Sequence, residues 1–382
     1  MKPQITIGFD AKRIVRNRTG LGNYCRTLVN DLAAVMPESR LRLYTPIKGC
    51  ADLCERIEPR PNVEFVMPRH TIMPGHHSLW RSHGIVRDLK ADGIDIYHGL
   101  TGELPYGLRR AGIVGGVTIH DLIFLRHPEY YHWYDVWIYK QKFKLACREA
   151  KRIIAISECT KRDIIELGNV DPERIDVVYQ SCSTRFKTKT DQEQRRAAAF
   201  RYSLPERYVL NVGTVEERKN VGLAVEALEH LPDDIHLVIV GRRTHYADKV
   251  EALAAKRNVT DRVHFLSNVS TDDLYAIYQM AECFVYPSRY EGFGIPIIEA
   301  IQSGLPVVAA TGSCLEEAGG DSCRYVSPND AEALAAAIKD SLPGMPDREQ
   351  RVARAQDYAR RFENIGVAER VIDVYRHALG GY

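Results

Sequence analysis

The 382-residue sequence has no long hydrophobic run and no CxxC motif, and its closest pair of cysteines is Cys50 and Cys54. Because no stretch approaches about 18 apolar residues, no transmembrane helix is predicted. The first residues enter a strand pattern at once, without the apolar segment of a signal peptide. Nine cysteines are scattered from Cys25 to Cys323 with no CxxC, which argues against a disulfide framework or a zinc site. These absences favour a cytoplasmic protein with free thiols.

The composition excludes several classes of chain. Hydrophobic residues make up 45% and charged residues 27%, close to a globular average, which excludes disordered, collagen-like and coiled-coil chains. The length predicts two domains. The net charge of +2 hides an asymmetry, because residues 1–186 hold 28 Lys and Arg against 21 Asp and Glu. The second half is correspondingly negative, so the two domains are expected to meet different partners.

Short β-branched runs alternate with amphipathic stretches, which predicts βαβ units with helices on both faces of parallel sheets. Strands are predicted at residues 4–9, 41–44, 63–66, 94–97, 113–119, 152–156, 175–179, 208–212, 236–240, 263–265, 283–286 and 306–309. Strand signals then stop in a polar stretch. We therefore predict an N-terminal domain at 1–186, a linker at 187–205 and a C-terminal domain at 206–365. A final helix, 366–382, is expected to pack back across the junction onto the N-terminal domain.

Ligands of open parallel sheets bind at the carboxyl ends of the strands, beside the next helix. Two such positions stand out in the first half. Gly20 and Gly22 follow the first strand and let the backbone approach a phosphate at a helix start, although the third glycine of a dinucleotide fingerprint is missing. His120 ends a strand, where an imidazole can bind a sugar hydroxyl or move a proton. A tight turn and a structural histidine are the alternative interpretations.

Two further positions lie in the second half. Gly213 opens a turn that brings Arg218 and Lys219 to the start of a helix. Cations at a helix start are repelled by the positive end of the helix dipole unless an anion lies between them and the helix. The two cations therefore indicate a diphosphate site. The segment EGFGIPIIE then places Glu291 in a tight loop and Glu299 about one turn into a helix. Both carboxylates can face a ligand while the loop amides point at it.

Residues 130–144 form an aromatic and basic segment that does not directly follow a predicted strand. Aromatic and lysine side chains are favoured at membrane interfaces. The alternative is a loop followed by an ordinary amphipathic helix.

Together these segments resemble the retaining glycosyltransferases of family 4. The matching motifs occur in order along nearly the whole chain: RTGLGNY, TIHDL, GTVEERKN and YPSRYEGFGIPIIEAIQSGLPVVAA. The last contains the E-x7-E signature of that family. The resemblance implies the GT-B architecture, an α/β fold in which two Rossmann-like domains face each other across a cleft.

The resemblance also implies a role for each matching residue. Glu291 would bind hydroxyls of the donor sugar, and Glu299 would hold the ribose hydroxyls. Lys219, with Arg218, would neutralise the diphosphate, and His120 would contact the sugar near its 6-hydroxyl. Positions that approach the donor through their backbone would be Gly20, Gly22, Gly213, Gly292, Phe293, Gly294, Ile295 and Val269, the last beside the base. Many members have Gly-Arg at Gly213-Thr214, so Arg218 would supply the missing guanidinium.

The implied activity is transfer of a hexose, with mannose favoured, from a nucleotide diphosphate sugar to a glycan or lipid-linked glycan. GDP-mannose is the favoured donor and a UDP-sugar the alternative; no nucleic acid partner and no cofactor are expected. Cations, amides and a helix dipole can stabilise the leaving diphosphate without a metal. A basic N-terminal domain could also contact the inner face of the membrane. The alternatives are a UDP-sugar 2-epimerase, a glycogen-type phosphorylase and a non-catalytic nucleotide-sugar-binding subunit.

Overall fold

The computed structural model describes residues 4–70 and 75–380. The chain forms two compact units, Met1–Ser181 with Asn364–Tyr382 and Cys182–Glu363. Each unit contains one parallel sheet flanked by helices, so the predicted α/β class is confirmed. Residues 1–3 and 71–74 of the predicted N-terminal domain, and 381–382 of the predicted final helix, lie outside the described residues.

The described part of the first unit has a seven-stranded sheet in the order β3-β2-β1-β4-β5-β6-β7. Its strands are β1 Thr6–Asp10, β2 Arg40–Tyr44, β3 Val63–Val66, β4 Ile96–Gly99, β5 Val114–Ile119, β6 Ala150–Ala155 and β7 Ile175–Val177. Its helices are α1 Lys12–Arg16, α2 Gly20–Val35, α3 Ala51–Cys54, α4 His77–Leu79, α5 Ile85–Ala91, α6 Ile123–Arg126, α7 Trp133–Glu149, α8 Glu158–Gly168 and, at the end of the chain, α17 Asn364–Leu379. A π-helical turn, Trp80–Gly84, joins α4 to α5.

The second unit has a six-stranded sheet in the order β10-β9-β8-β11-β12-β13. Its strands are β8 Tyr208–Val212, β9 His236–Val240, β10 Val263–Leu266, β11 Cys283–Tyr286, β12 Val307–Ala310 and β13 Arg324–Val326. Its helices are α9 Gln192–Arg201, α10 Val221–Ala227, α11 His245–Lys256, α12 Thr271–Met280, α13 Ile295–Gln302, α14 Leu315–Gly319, α15 Ala331–Lys339 and α16 Arg348–Ala359. The central strands β11 and β12 are fully buried, which explains their unbroken apolar sequence.

Strand order determines where each unit can bind a ligand. In both sheets the first strand in the chain lies between the second and the fourth, as in a Rossmann fold. The connections therefore leave β1 and β4, and likewise β8 and β11, in opposite directions. This arrangement opens a crevice at the carboxyl ends of each of these strand pairs.

Two segments differ in detail from the sequence-based interpretation. The stretch interpreted as a linker contains the helix α9, which packs on α12 of the second unit. The strand β13 was not predicted, because its three half-buried residues are too few to show a strand pattern. The domain boundaries drawn from the sequence remain a prediction.

The last helix, α17, completes the core of the first unit. Val371, Ile372 and Tyr375 are buried in one cluster with residues of β1 and α2. The hydroxyl of Tyr375 lies 2.7 Å from Nδ1 of His98, which is buried in β4. Within the described ranges, the helices are all too short or too polar to cross a bilayer.

Replacing Ile372 with alanine tests the contribution of α17. Ile372 is 2% exposed, so Ile372→Ala should lower the free energy of unfolding by about 2–4 kcal/mol through the cavity it leaves. Ile365, on the same helix but 66% exposed, is the matched control, and Ile365→Ala should change it by about 0.5 kcal/mol or less. Urea denaturation followed by circular dichroism measures both; equal effects would show that α17 does not close this core.

Candidate active site

In the second unit, the loops after β8 and β11 lie beside the strand-order crevice and contact each other. Gly213 directly follows β8 and has a φ of +154°, a conformation that favours glycine. A 3-10 turn, Glu217–Lys219, then leads to α10. The backbone N–H of Arg289, in the loop after β11, donates to the carbonyl oxygen of Arg218 at 2.9 Å. Two segments that are 71 positions apart in the sequence are thus held together at the carboxyl ends of two central strands.

Glu291 is the centre of a buried ion cluster between these loops. Its Oε1 lies 2.5 Å from Nζ of Lys219, and its Oε2 lies 2.9 Å from Nη1 of Arg218. The hydroxyl of Ser288 donates to Oε1 at 2.6 Å, and that of Tyr286 donates at 3.1 Å. Burial by itself would raise the pKa of Glu291, but the two cations and these hydrogen bonds hold it at about 2. The carboxylate is therefore ionised throughout the physiological range.

The two cations have different surroundings. Arg218 also donates to the backbone oxygen of Tyr290 at 2.6 Å and pairs with Glu216 at 2.7 Å. Burial would lower the pKa of Arg218, but the charges of Glu291 and Glu216 raise it overall. Lys219 bonds the hydroxyl of Tyr286 at 2.6 Å. Arg218 is thus anchored at three points, whereas Lys219 contacts Glu291 and Tyr286.

Asn220 fixes the turn that carries the cations. It has a φ of +55°, a left-handed conformation that asparagine tolerates better than most residues. Its side-chain amide donates to the backbone oxygens of Pro287 at 3.0 Å and Pro328 at 2.8 Å. Sequence reasoning missed Asn220, together with Tyr286 and Ser288. The one available signal was their position at the end of a turn or strand next to a predicted site residue.

The EGFG loop, residues 291–294, leads directly into α13, and its backbone is fixed by close contacts. Gly294 is the N-cap of the helix with a φ of +112°, and a Cβ there would lie 3.0 Å from Cδ2 of Leu315. Gly292 and Phe293 are buried, and Ile295 is half-buried. The thiol of Cys314 lies 3.1 Å from the backbone oxygens of both Glu291 and Phe293. This thiol, which the sequence analysis did not identify, contacts and stabilises the loop before the positive end of the helix dipole.

Glu299 differs from Glu291 in its electrostatics. It lies about one turn into α13, and its Oε2 accepts a hydrogen bond from Tyr278 at 2.9 Å. Burial raises the pKa of Glu299 to about 7, because no cation offsets the desolvation and the tyrosine hydroxyl lowers it only in part. Val269 lies apart, half-buried in the loop between β10 and α12.

The remaining predicted residues belong to the first unit. Gly20 opens α2 and is exposed, with open space where a Cβ would be. A Cβ on Gly22 would lie 2.0 Å from the backbone oxygen of Asn17, so only glycine fits. The side-chain oxygen of Asn17 accepts hydrogen bonds from the N–H groups of Thr19, at 2.8 Å, and Gly22, at 3.2 Å. An anion at this helix start would meet Gly20 first.

His120 uses both ring nitrogens within the protein. Nε2 donates to the backbone oxygen of Leu100 at 2.8 Å, and Nδ1 accepts from the amide of Gln180 at 2.8 Å. Tyr24 packs edge-on at 4.8 Å between ring centroids. Burial lowers the pKa of His120 to about 4. The imidazole is therefore neutral at pH 7.

An ion chain at the crevice of the first unit was not predicted. Arg81 pairs with Asp10, at the end of β1, and with Glu103 at 2.9 Å. Glu103 in turn pairs with Lys142 at 2.9 Å. The burial of Glu103 would raise its pKa, but Arg81 and Lys142 hold it at about 2. These residues come from four separate segments, which explains why no local pattern revealed them. No cluster of three or more metal-ligating side chains occurs within residues 4–70 and 75–380.

Two family models match consecutive parts of the chain. "Glycosyltransferase Family 4" matches residues 18–185, and "Glycosyl transferases group 1" matches residues 193–358. The chain is 29% identical to O-antigen chain mannosyltransferase B of Escherichia coli, over 94% of this chain and 96% of that protein. It is 32% identical to O-antigen chain mannosyltransferase RfbU of Salmonella typhimurium, over 65% of each.

Solved structures share the fold at low sequence identity. A glycosyltransferase from Rickettsia africae superposes with a TM-score of 0.78 at 18% identity, covering 99% of this chain and 100% of that one. WaaG, described as a glycosyltransferase involved in lipopolysaccharide biosynthesis, superposes with a TM-score of 0.71 at 19% identity, covering 97% and 99%.

The raised pKa of Glu299 predicts a pH dependence of stability. The folded state keeps this proton up to about pH 7, whereas the unfolded state releases it near the ordinary value of 4.5. Because the folded state then binds more protons, stability should fall as pH rises from 4.5 to 7. Glu299→Gln should remove this fall. The free energy of unfolding of the variant, relative to that of the parent protein, should therefore rise by roughly 1–3 kcal/mol between pH 5 and pH 8. Urea denaturation at the two pH values measures the gain.

Glu291→Gln is the matched control with the opposite sign. The depressed pKa of Glu291 means that its stabilisation is present above about pH 4.5 and is lost as pH falls toward 2. At pH 7 the glutamine variant should lose about 3 kcal/mol, because Lys219 and Arg218 lose their shared counter-charge. Stability changes of the same sign for both variants would contradict the charge states assigned here.

Proposed function

This chain belongs to glycosyltransferase family 4, and we propose that it transfers mannose from GDP-mannose to a glycan or lipid-linked glycan. The transfer retains the anomeric configuration and needs no metal ion. It takes place in the cytoplasm, with the acceptor met at the inner face of the membrane. The observation that carries the proposal is the ion cluster of Arg218, Lys219 and Glu291 at the strand-order crevice of the second unit.

The cluster suits the departure of a nucleoside diphosphate. Breaking the bond between sugar and phosphate leaves negative charge on the diphosphate, and preformed cations stabilise that charge without reorganisation. Lys219 is the better candidate for direct contact, because Arg218 is also committed to Tyr290 and Glu216. The positive end of α13 adds to the same field. The proton of the acceptor hydroxyl passes to the departing phosphate oxygen, so no protein base is assigned.

The two carboxylates divide the recognition of the donor. Ionised Glu291 has acceptor lone pairs for sugar hydroxyls while it holds both cations in place. Glu299 accepts hydrogen bonds from the ribose hydroxyls, and such bonds favour its ionised form. Binding of the nucleotide should therefore release a proton near pH 7. Gly213, Gly292, Phe293, Gly294 and Ile295 are proposed to approach the donor through their backbone, and Val269 to lie beside the base.

Residues of the first unit are assigned supporting roles. Gly20 and Gly22 approach the donor phosphates at the start of α2, where Gly20 is exposed. His120 is proposed to contact the sugar near its 6-hydroxyl; because its one donor and one acceptor are both engaged within the protein, a hydrogen bond to the sugar replaces the one from Gln180. Mannose is chosen because the two O-antigen relatives are named mannosyltransferases, and GDP-mannose is the donor that the sequence resemblance favours. UDP-sugars are the alternative donors.

Incubation with radiolabelled nucleotide sugars tests the function directly. GDP-mannose, UDP-glucose and ADP-glucose are each supplied with a lipid-linked glycan acceptor in excess EDTA. The expected result is mannosylated acceptor and free GDP. A strict need for added magnesium or manganese would overturn the metal independence. Isomerised sugar without acceptor would indicate an epimerase, and binding without turnover on any acceptor would indicate a non-catalytic subunit.

Lys219→Ala should lower turnover by about a hundredfold, the loss expected when one preformed donor to developing charge is removed. Lys256→Ala, at an exposed position on α11, is the matched control and should keep the parent rate. Steady-state kinetics measure both variants, with circular dichroism to confirm that each is folded. A folded Lys219→Ala enzyme with near-parent turnover would remove Lys219 from the mechanism.

The two acids should separate binding from transfer. Glu299→Gln should weaken binding of free GDP by about tenfold, because a charge-assisted hydrogen bond to the ribose is lost. Glu291→Gln should bind free GDP nearly as well as the parent but transfer sugar poorly. Isothermal titration calorimetry with GDP and initial-rate assays provide the two readouts. Equal losses of GDP affinity in both variants would contradict this division of roles.

A further inference from the structure

The helix α7 carries an unusual concentration of exposed aromatic surface. Trp133 is 81% exposed, Trp137 is 61% exposed and Tyr134 is 47% exposed. Ile138 and Tyr139 are each 39% exposed. Exposed tryptophans are uncommon on a globular surface, and a group of exposed apolar side chains on one helix is typical of an interaction surface.

Four exposed residues form one stripe along the helix. Trp133 and Trp137 are four residues apart, and Lys140 and Lys144 continue the same stripe at seven and eleven residues from Trp133. The adjacent side of the helix, with Phe143, Ala146 and Cys147 toward its C-terminal end, is buried in the first unit. The stripe of Trp133, Trp137, Lys140 and Lys144 is called the α7 face below.

The charges of the α7 face indicate the kind of partner it fits. Lys140 and Lys144 are both exposed. Lys142, between them in sequence, donates instead to Glu103 at 2.9 Å and is not part of the face. The half of the chain that contains the face carries an excess of positive charge. Tryptophans beside lysines match the boundary of a bilayer, where the indole ring is favoured at headgroup level and lysine pairs with lipid phosphate.

We propose that the α7 face docks on an anionic lipid bilayer. Trp133 and Trp137 enter the headgroup region, and Lys140 and Lys144 lie against the lipid phosphates. The attachment is peripheral and reversible, since four side chains provide far less attraction than a spanning helix. Each lysine close to an anionic surface raises the binding constant about fivefold, and the attraction decays over about 10 Å in 0.1 M salt. The proposal stands apart from the transferase reaction, because binding is measured without nucleotide or acceptor.

The three tryptophans of the chain provide a built-in reporter. Trp80 is buried and donates from its indole N–H to Asp88 at 2.9 Å, so vesicles leave its surroundings unchanged. The full-length protein is mixed with phosphatidylcholine vesicles, with or without about 30% phosphatidylglycerol. Co-sedimentation gives the binding constant. Intrinsic fluorescence, with brominated lipids as quenchers, reports whether Trp133 and Trp137 enter the headgroup region.

The expected result is binding to anionic vesicles, with a blue shift and quenching of the fluorescence, and weakening as salt rises. The Trp133→Ala/Trp137→Ala variant should bind at least about tenfold more weakly and lose the spectral response. Lys140→Gln/Lys144→Gln should lower the binding constant by about twentyfold and flatten its salt dependence. Phe200→Ser removes the 90%-exposed Phe200 of α9 in the second unit and should bind like the parent protein. Circular dichroism confirms that each variant is folded.

Three outcomes would overturn the proposal. One is equal recovery with neutral and anionic vesicles at every salt concentration. Another is a folded tryptophan double variant that binds anionic vesicles as tightly as the parent. The third is failure of the parent to bind vesicles while it forms a dimer that the tryptophan substitutions abolish. That result would assign the α7 face to a second copy of the chain.

Discussion

The charge on Glu291 is the interaction on which the candidate site depends. A carboxylate at this depth is ionised only because Lys219 and Arg218 lie against it and Ser288 and Tyr286 donate hydrogen bonds to it. The cations, in turn, are held at the end of a turn that asparagine and glycine conformations allow. Each partner stabilises the other. The ion cluster therefore helps to hold together the loops after β8 and β11, alongside the hydrogen bonds of Asn220 and the backbone of Arg289.

The pKa of the second carboxylate, Glu299, is shifted in the opposite direction. Glu299 is half-buried and accepts a hydrogen bond from Tyr278, and among the described residues no cation offsets its desolvation, so its proton is held up to about pH 7. Two glutamates eight positions apart thus have pKa values that differ by several units, and the cause is their neighbours rather than their depth. A group that titrates near neutrality can respond to a ligand, while one that is permanently charged can organise its surroundings. This difference agrees with separate roles for the two acids in the proposed reaction.

The first unit also has an ion cluster at the carboxyl end of its own sheet. Asp10, Arg81, Glu103 and Lys142 form an ion chain there, while His120 is neutral between Leu100 and Gln180. Lys142 belongs to α7, so one helix joins this ion chain to the exposed α7 face. A lysine that looked equivalent to its neighbours in the sequence is, in the fold, an internal partner of a carboxylate.

Local patterns in the sequence determined the α/β class, twelve of the thirteen strands within the described residues and the loops that carry the site. They could do so because a buried parallel strand needs an unbroken apolar run, and a tight turn before a helix needs glycine or proline. Tertiary structure alone decided which charges neutralise one another. Lys219 meets Glu291 across 71 intervening positions, His120 meets Gln180, and the stretch interpreted as a linker folds as α9 against α12. Such pairings depend on strand order and burial, and a pKa set by desolvation has no counterpart in a local pattern.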